Sequence, residues 1–227
     1  TSREAGGITQ SIGAWQITTP KGNKITFIDT PGHAAFEGMR ARGAKIADLA
    51  ILVIAADDGV MPQTRQSLEF LRASETPFLV AITKTDLPTA QVDKAKNQLL
   101  ELEVVPEDYG GQTVVLEVSS KTGKGIDELL EMLVLMGQMH NISGDPNGQL
   151  SAYILEAERD PRRGVVVSVI VKNGTLKVGE AIIADQISGK VRGLFDESKK
   201  AIKEVGLSVP AEIIGFAALP PVGADVK

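Results

Sequence analysis

The stretch Asp29-Thr30-Pro31-Gly32-His33 ends an apolar run and turns the chain sharply into a loop. Just before it, Ile25-Thr26-Phe27-Ile28 consists of β-formers and reads as a buried strand. Asp29 then falls at the strand's carboxyl end, where open α/β sheets place their ligand chemistry. Pro31 fixes one backbone angle, and Gly32 lets the main chain approach a ligand closely. A strand-end carboxylate, a bare glycine amide and an imidazole in one short stretch suit a metal-bound phosphate. The carboxylate can reach the shell of a magnesium ion, the amide can donate to a phosphate oxygen, and the imidazole can orient a water. By itself the stretch also fits an ordinary Pro-Gly turn carrying a surface histidine.

Outward from this stretch, the first two-thirds of the chain alternates strands with helices. Residues 1–14 are polar and glycine-bearing and read as a loop. Trp15–Thr18 and Lys24–Ile28 flank a Pro20–Asn23 turn as an antiparallel hairpin. Ala34–Ala44 reads as a short helix, and Leu49–Ala55 as a continuous apolar strand buried on both faces of a parallel sheet. A helix over Met61–Ala73 follows, with Pro62 suited to its first turn. Strands at Phe78–Ile82 and Val114–Val118 alternate with helices at Ala90–Leu102 and Ile126–Met139. Such alternation predicts a mostly parallel sheet covered on both faces.

The run Asn141–Gly148 is dense in loop formers and marks a domain boundary, giving residues 1–147 and 148–227. Beyond it come short strands at Leu150–Glu156, Gly164–Val171, Glu180–Ala184, Gly189–Leu194 and Ala211–Phe216. Turns are expected at Asn173-Gly174, Lys177–Gly179 and Ser188-Gly189, which together predict a small closed β-barrel.

Composition sets limits on function. With 43% apolar and 23% charged residues, the 227-residue chain has the balance of a soluble globular protein. It has no cysteine, which rules out disulfides and thiolate metal sites and fits a reducing, cytoplasmic setting. The longest apolar run, Leu49–Ala56, is too short to span a bilayer, so no membrane role is expected. A net charge of −5 argues against a general polyanion binder. Residues 148–227 nevertheless hold 11 Lys and Arg against 10 Asp and Glu, whereas residues 1–147 hold 13 against 19. Any nucleic-acid contact is therefore expected to be local and in the second part.

Three further stretches carry chemistry. Gly6-Gly7-Ile8-Thr9 can offer a hydroxyl to a metal from a loop. Thr83-Lys84-Thr85-Asp86 ends the second buried strand, where an aspartate can accept two hydrogen bonds from a guanine edge. The Lys84 stem can pack over the ring. Ser119-Ser120-Lys121 ends the third strand, where backbone amides can donate to a base carbonyl. All the strand-end motifs would share one rim of a parallel sheet.

In this order the four motifs resemble the second to fifth nucleotide motifs of translational GTPases. Within them, Arg3–Gln10 and Ala55–Thr64 resemble bacterial-type translation initiation factor 2. Val171–Gly179 and Gly189–Gly193 are similar to that family's domain II barrel. The resemblance implies an α/β P-loop-type GTPase domain (mostly parallel sheet, first βα unit missing) followed by a small all-β barrel domain. It implies GTP or GDP and Mg²⁺ as ligands. Thr9 and Asp29 would serve the metal, Gly32 would sense the γ-phosphate, and His33 would position the attacking water. Lys84 and Asp86 would read guanine beside Thr83, supported by Ser119, Ser120 and Lys121. The implied partners are the ribosome and its RNA, with initiator tRNA bound only through a C-terminal domain beyond residue 227, and the implied state is a monomer.

The chain departs from the family in two ways. Thr83 stands where the family usually has asparagine, and threonine cannot reproduce both amide contacts. In addition, no Gly-x-x-x-x-Gly-Lys-Ser/Thr occurs in these residues, so the phosphate loop and its lysine are absent. The expectation is a fragment lacking about 25–30 residues of an upstream βα unit, with a gap in its sheet and little hydrolysis of its own. The alternative reading is a non-catalytic ribosome-contacting module.

Other conspicuous residues have plainer readings. His140 reads as a helix-end cation, and Trp15 as packing on the hairpin. Asp57-Asp58-Gly59 reads as a turn that caps the following helix. Lys199, Lys200 and Lys203 read as a solvated face, and Arg159, Arg162 and Arg163 around Pro161 as a loop able to meet phosphate.

Overall fold

The computed structural model describes residues 13–30, 38, 43 and 46–227, which fall into two compact units. One comprises residues 31–142; the other joins residues 143–227 to residues 1–30. The predicted helix at 34–44 lies mostly outside the described residues.

In the 31–142 unit, β3 (Ala50–Ala55), β4 (Phe78–Thr83) and β5 (Val115–Glu117) form a parallel sheet in that order. α1 (Pro62–Ala73) and α2 (Val92–Glu101) pack on the face presented by Leu52, Ile54, Val80 and Ile82, supplying Leu68, Leu71, Ala95 and Leu99. Pro62 opens α1, where its missing N–H costs nothing.

β4 is buried along Leu79, Val80, Ala81 and Ile82, as a central parallel strand should be. β3 corrects the expectation of burial on both faces: Val53 is 56% exposed. β3 is an edge strand of this sheet among the described residues, so a side chain on its second face has fewer neighbours. α3 (Ile126–Met139) ends at His140, after which Asn141 takes the left-handed conformation (φ +52°). That lets the Ile142 amide reach the Gly137 carbonyl at 2.9 Å, a stop that keeps the last carbonyls satisfied.

In the other unit, β1 (Gly13–Thr18) and β2 (Lys24–Asp29) form the predicted hairpin, with Trp15 opposite Phe27. These two rings stack with centroids 6.2 Å apart. The alternate face carries Gln16 and Thr26, and both side chains donate to the carbonyl of Ser208. Among the described residues β1 and β2 form a two-stranded sheet of their own.

The barrel closes through β6 (Ser151–Asp160), β7 (Gly164–Asn173), β9 (Ala181–Ala184), β10 (Ile187–Phe195), β12 (Pro210–Phe216) and β13 (Asp225–Val226). A separate two-stranded pair, β8 (Leu176–Lys177) with β11 (Glu204–Val205), belongs to the same unit. Alternate positions, among them Ile154, Val167, Val169, Leu194 and Ile213, fill the interior.

Two turn expectations are corrected. Ser188-Gly189 lies inside β10; the reversal comes earlier, because Ala184 pairs with Ile187 and leaves Asp185 and Gln186 as the turn. Asp185 accepts the left-handed backbone (φ +52°) such a turn demands. Gly189 is instead needed for a close approach, since a Cβ there would lie 2.7 Å from the Gly215 carbonyl oxygen. Asn173-Gly174 turns the chain from β7 to β8, but β8 pairs with β11, so no hairpin forms. Asn173 instead holds the linker: its side chain accepts from Asp145 N–H at 2.8 Å and donates to the Gln149 carbonyl at 2.8 Å.

Candidate guanine-reading site

The ends of β3, β4 and β5 lie side by side because their registers align Ala55 with Thr83 and Ile82 with Glu117. The ladder continues past the strands: Ala56 N–H donates to Thr83 O at 2.9 Å, and Val118 N–H to Ile82 O at 2.8 Å. The chain therefore delivers Thr83–Asp86 and Ser119–Lys121 to one carboxyl-end rim, but the expectation that every strand-end motif belongs to this parallel sheet is corrected for Asp29, whose strand is half-buried in an antiparallel hairpin.

Ser119 is fully buried, and the loop closes around it. Its amide donates to Lys124 O (2.9 Å), its carbonyl accepts from Gly123 N–H (2.9 Å), and its hydroxyl accepts from Thr122 N–H (3.2 Å). The hydroxyl's own proton goes to Asp86 Oδ1 at 2.6 Å. Gly125 makes this closure possible: its φ is +74°, and a Cβ would sit 2.1 Å from the Glu117 carbonyl oxygen. Thr85 adds a second tie between the loops, its hydroxyl donating to Val118 O at 3.2 Å.

Asp86 is thus an exposed carboxylate aimed by a buried hydroxyl. The Ser119 hydrogen bond is the largest influence holding its carboxyl below the usual value of 3.8, against some desolvation and with help from its own backbone amide and Lys121. At neutral pH it is acceptor-only, and Ser119 uses only part of its capacity. What remains matches two parallel N–H donors, the pattern of a guanine ring N–H and exocyclic amine. Ser120 and Lys121 are exposed beside it.

The Thr83 hydroxyl makes a long contact of 3.4 Å to Ile54 O, a bond within the sheet rather than toward a ligand. Lys84 has a left-handed backbone (φ +58°), which costs a residue with a Cβ about 1–2 kcal/mol. Its ammonium meets both oxygens of Asp57 at 2.9 Å and Asp58 Oδ2 at 3.4 Å. This corrects the capping role expected for Asp57 and Asp58. The N-cap of α1 is Met61, where the Thr64 hydroxyl accepts from Met61 N–H at 3.3 Å. Composition offered one signal for the true pairing: a doubled acidic pair at the end of one strand and a lysine at the end of the next.

Asp29 ends β2 opposite Gly13, in the hairpin that groups with the barrel. Thr9, Gly32 and His33 lie outside the described residues. Among the described residues no group of three or more His, Cys, Asp or Glu side chains assembles a metal site, so Asp29 contributes one potential ligand for Mg²⁺. The rim fits a base: an ionised, oriented, exposed carboxylate is what guanine's donor edge requires.

A three-stranded parallel sheet in one unit and a closed six-stranded barrel in the other define an α/β domain with a β-barrel module. Residues 1–138 match the family model of the Elongation factor Tu GTP binding domain, and residues 149–227 that of Elongation factor G domain 2. The chain belongs to the family of the Elongation factor Tu GTP binding domain, the translational GTPases. It is 51% identical to translation initiation factor IF-2 of Thermotoga sp. (strain RQ2) over 99% of this chain and 32% of that protein. To its counterpart in Deinococcus radiodurans it is 47% identical over 99% of this chain and 38% of the other. The chain thus spans about a third of the length of these relatives.

Among solved structures it is similar to GDP-bound aIF5B from Aeropyrum pernix, with a TM-score of 0.78 and 26% identity, covering 99% of this chain and 49% of the other. The fold is shared with SelB from Methanococcus maripaludis in complex with the GTP analogue GppNHp, at a TM-score of 0.74 and 24% identity over 96% of this chain and 49% of that one. No helix among the described residues is long and apolar enough to cross a membrane.

Proposed function

We propose that this chain is the central part of a GTP-hydrolysing translation initiation factor, with residues 1–147 as the guanine-nucleotide domain and 148–227 as its domain II. The observation that carries the reading is the Asp86 carboxylate held by the buried Ser119 hydroxyl at 2.6 Å on the rim of a parallel sheet. The names of the relatives support the extension to initiation. Asp86 accepts from guanine, Lys84 covers the ring, and Ser119, Ser120 and Lys121 support it beside Thr83. Thr9 and Asp29 are the residues that would hold Mg²⁺, which would supply charge neutralisation at the phosphates; the Gly32 amide would meet the γ-phosphate and His33 would orient the water. The reaction is phosphoryl transfer to water, driven by positioning and charge stabilisation.

In the intact factor, nucleotide state orders the segments around Thr9 and His33 and thereby controls subunit joining. The partners are both ribosomal subunits and their RNA, with initiator tRNA held by a further C-terminal domain. The factor works as a cytoplasmic monomer. No observation favours a non-catalytic ribosome-contacting module.

Calorimetric titration of GDP with Mg²⁺ tests this. The 227-residue chain, without a phosphate loop, gives no heat at micromolar concentration; fusing the upstream βα unit of the Thermotoga relative restores binding. In that fusion Asp86→Asn, which swaps one acceptor for a donor, should move preference from GDP to xanthosine diphosphate. GDP binding that ignores Asp86→Asn would overturn the assignment.

A further inference from the structure

The sequence motifs assign Lys84 to the base but leave Asp57 without a task in nucleotide binding. In the structure Asp57 is the partner of Lys84. Both carboxylate oxygens lie 2.9 Å from the ammonium, and the Asp57 side chain is only 23% exposed against 47% for Lys84. The acidic residue is built into a rigid turn. Asp58 and Gly59 N–H both donate to Ala55 O, at 3.2 and 2.8 Å, and Gln98 Oε1 accepts from Val60 N–H at 2.9 Å. Ala56 O in turn accepts from Gln91 N–H at 2.8 Å. Gly59 takes φ +76°, a backbone that a residue with a Cβ adopts only under strain. Lys84 has the less usual backbone (φ +58°), so its side chain starts from a fixed direction and ends on a fixed anion.

A free lysine stem is a poor surface for a ring, because its rotamers must be frozen on binding. A stem tied at both ends has lost that freedom already. We propose that Asp57 is a positioning residue of the base-reading site: it pins the Lys84 ammonium so that the methylene stem stands as an apolar wall against one face of a bound guanine. This rests on the assignment of Asp86 as the guanine-reading carboxylate. Asp58, 56% exposed and farther away at 3.4 Å, is a secondary anchor. The hydrogen bond from Lys84 also keeps the Asp57 carboxyl below the usual value, so the anchor is charged at neutral pH. Because Asp57 acts on the stem, its loss weakens binding of the base without changing which base is preferred; Asp86 sets the preference.

The test uses the 227-residue chain with GMP and AMP as probes at millimolar concentration, following the backbone amide shifts of Thr85, Asp86 and Ser120 by NMR. GMP is expected to saturate these shifts and AMP to bind more weakly. Asp57→Asn should weaken GMP by about two- to fivefold, the scale of one partly exposed ion pair, with the GMP-to-AMP ratio unchanged. Asp57→Glu, which keeps the charge, should recover most of the loss.

The deciding variant is Lys84→Met, which keeps an unbranched apolar stem and removes the ammonium. In that background Asp57→Asn should have no further effect. An Asp57→Asn chain that binds GMP as tightly as the parent, or a loss that persists undiminished beside Lys84→Met, overturns the role of Asp57 while leaving Asp86 in place. If Asp86→Asn leaves the GMP-to-AMP ratio untouched, or GMP moves none of these amides, the base-reading assignment falls and the inference with it.

Discussion

Two carboxylates, one in each unit, show how differently a protein can hold an acid. Asp86, on the rim of the parallel sheet, is fixed by a neutral hydroxyl and stays exposed. Glu212, on barrel strand β12, is fixed by two cations: Arg163 at 3.0 Å and Lys199. Its side chain is only 13% exposed. Burial would raise the Glu212 carboxyl, but Lys199 and Arg163 outweigh it and lower it. For Asp86 the Ser119 hydroxyl is the largest of the lowering influences. A hydroxyl directs a carboxylate without cancelling its charge, leaving it able to recognise a ligand; two cations consume both.

The same contrast reassigns the arginine loop. Asp160 accepts the amides of Arg162 and Arg163 at 2.7 and 2.8 Å, and Arg163 turns inward to Glu212, so Arg163 serves the barrel first. Lys199 also pairs with Glu212, yet its own side chain stays 62% exposed, and with Lys200 and Lys203 it forms the solvated face expected of them.

The largest test asks whether the two units are held by separate cores. Ile213, fully buried in the barrel, and Leu99, fully buried under the sheet, should each lose about 2–5 kcal/mol on truncation to alanine. Trp15, the only tryptophan, groups with the barrel, so its fluorescence in urea should follow Ile213→Ala and be blind to Leu99→Ala. A fluorescence midpoint that moves equally with both would mean the units unfold as one.

Ser119→Ala comes next. Removing the buried hydroxyl strands Thr122 N–H and frees Asp86, so far-ultraviolet unfolding of the chain should show a loss of about 1–2 kcal/mol. Ser119→Thr, which keeps the donor, should lose less. An unchanged Ser119→Ala would remove the basis for calling Asp86 directed.

Glu212 supplies a pH test. Its lowered carboxyl contributes stability that is complete above the ordinary value of 4.5 and lost as pH falls through the depressed folded value. Glu212→Gln should therefore cost about 1 kcal/mol at neutral pH, and the gap from the parent should close in acid. A gap of constant size from neutral pH down to about 3 would show that the pairing contributes through packing, not charge.

Thr83→Asn should have the smallest effect on folding and a clear one on function. Thr83 already spends its hydroxyl weakly on Ile54 O at 3.4 Å, so thermal unfolding should barely move. In the fusion carrying a phosphate loop, GDP affinity should rise by about three- to tenfold, one added hydrogen-bonded contact.

Much of this molecule is legible in its amino-acid chain. The apolar runs at Ala50–Ala55 and Phe78–Thr83 and the amphipathic Ile126–Met139 announce themselves by local periodicity. Asp86 and Ser119 could be placed on one rim because parallel strands present their carboxyl ends together. Where reading failed, the cause was non-local. Ser188-Gly189 looks like a turn, but its glycine answers to Gly215 on another strand. Leu49–Ala55 reads as doubly buried, yet edge position exposes Val53.

Local pattern along the chain specifies the kinds of element, their order, and which strand ends carry acceptors and donors. Those follow from side-chain periodicity and backbone preference, which act over a few residues. The partnerships arise only once the chain is folded. Lys84 meets Asp57 because parallel register sets Ala55 beside Thr83; Glu212 takes Arg163 and Lys199 because barrel closure brings three strands and two loops together. The hairpin joins the barrel because Gln16 and Thr26 find one carbonyl at Ser208. Each depends on which distant backbone arrives alongside, and no local pattern encodes that.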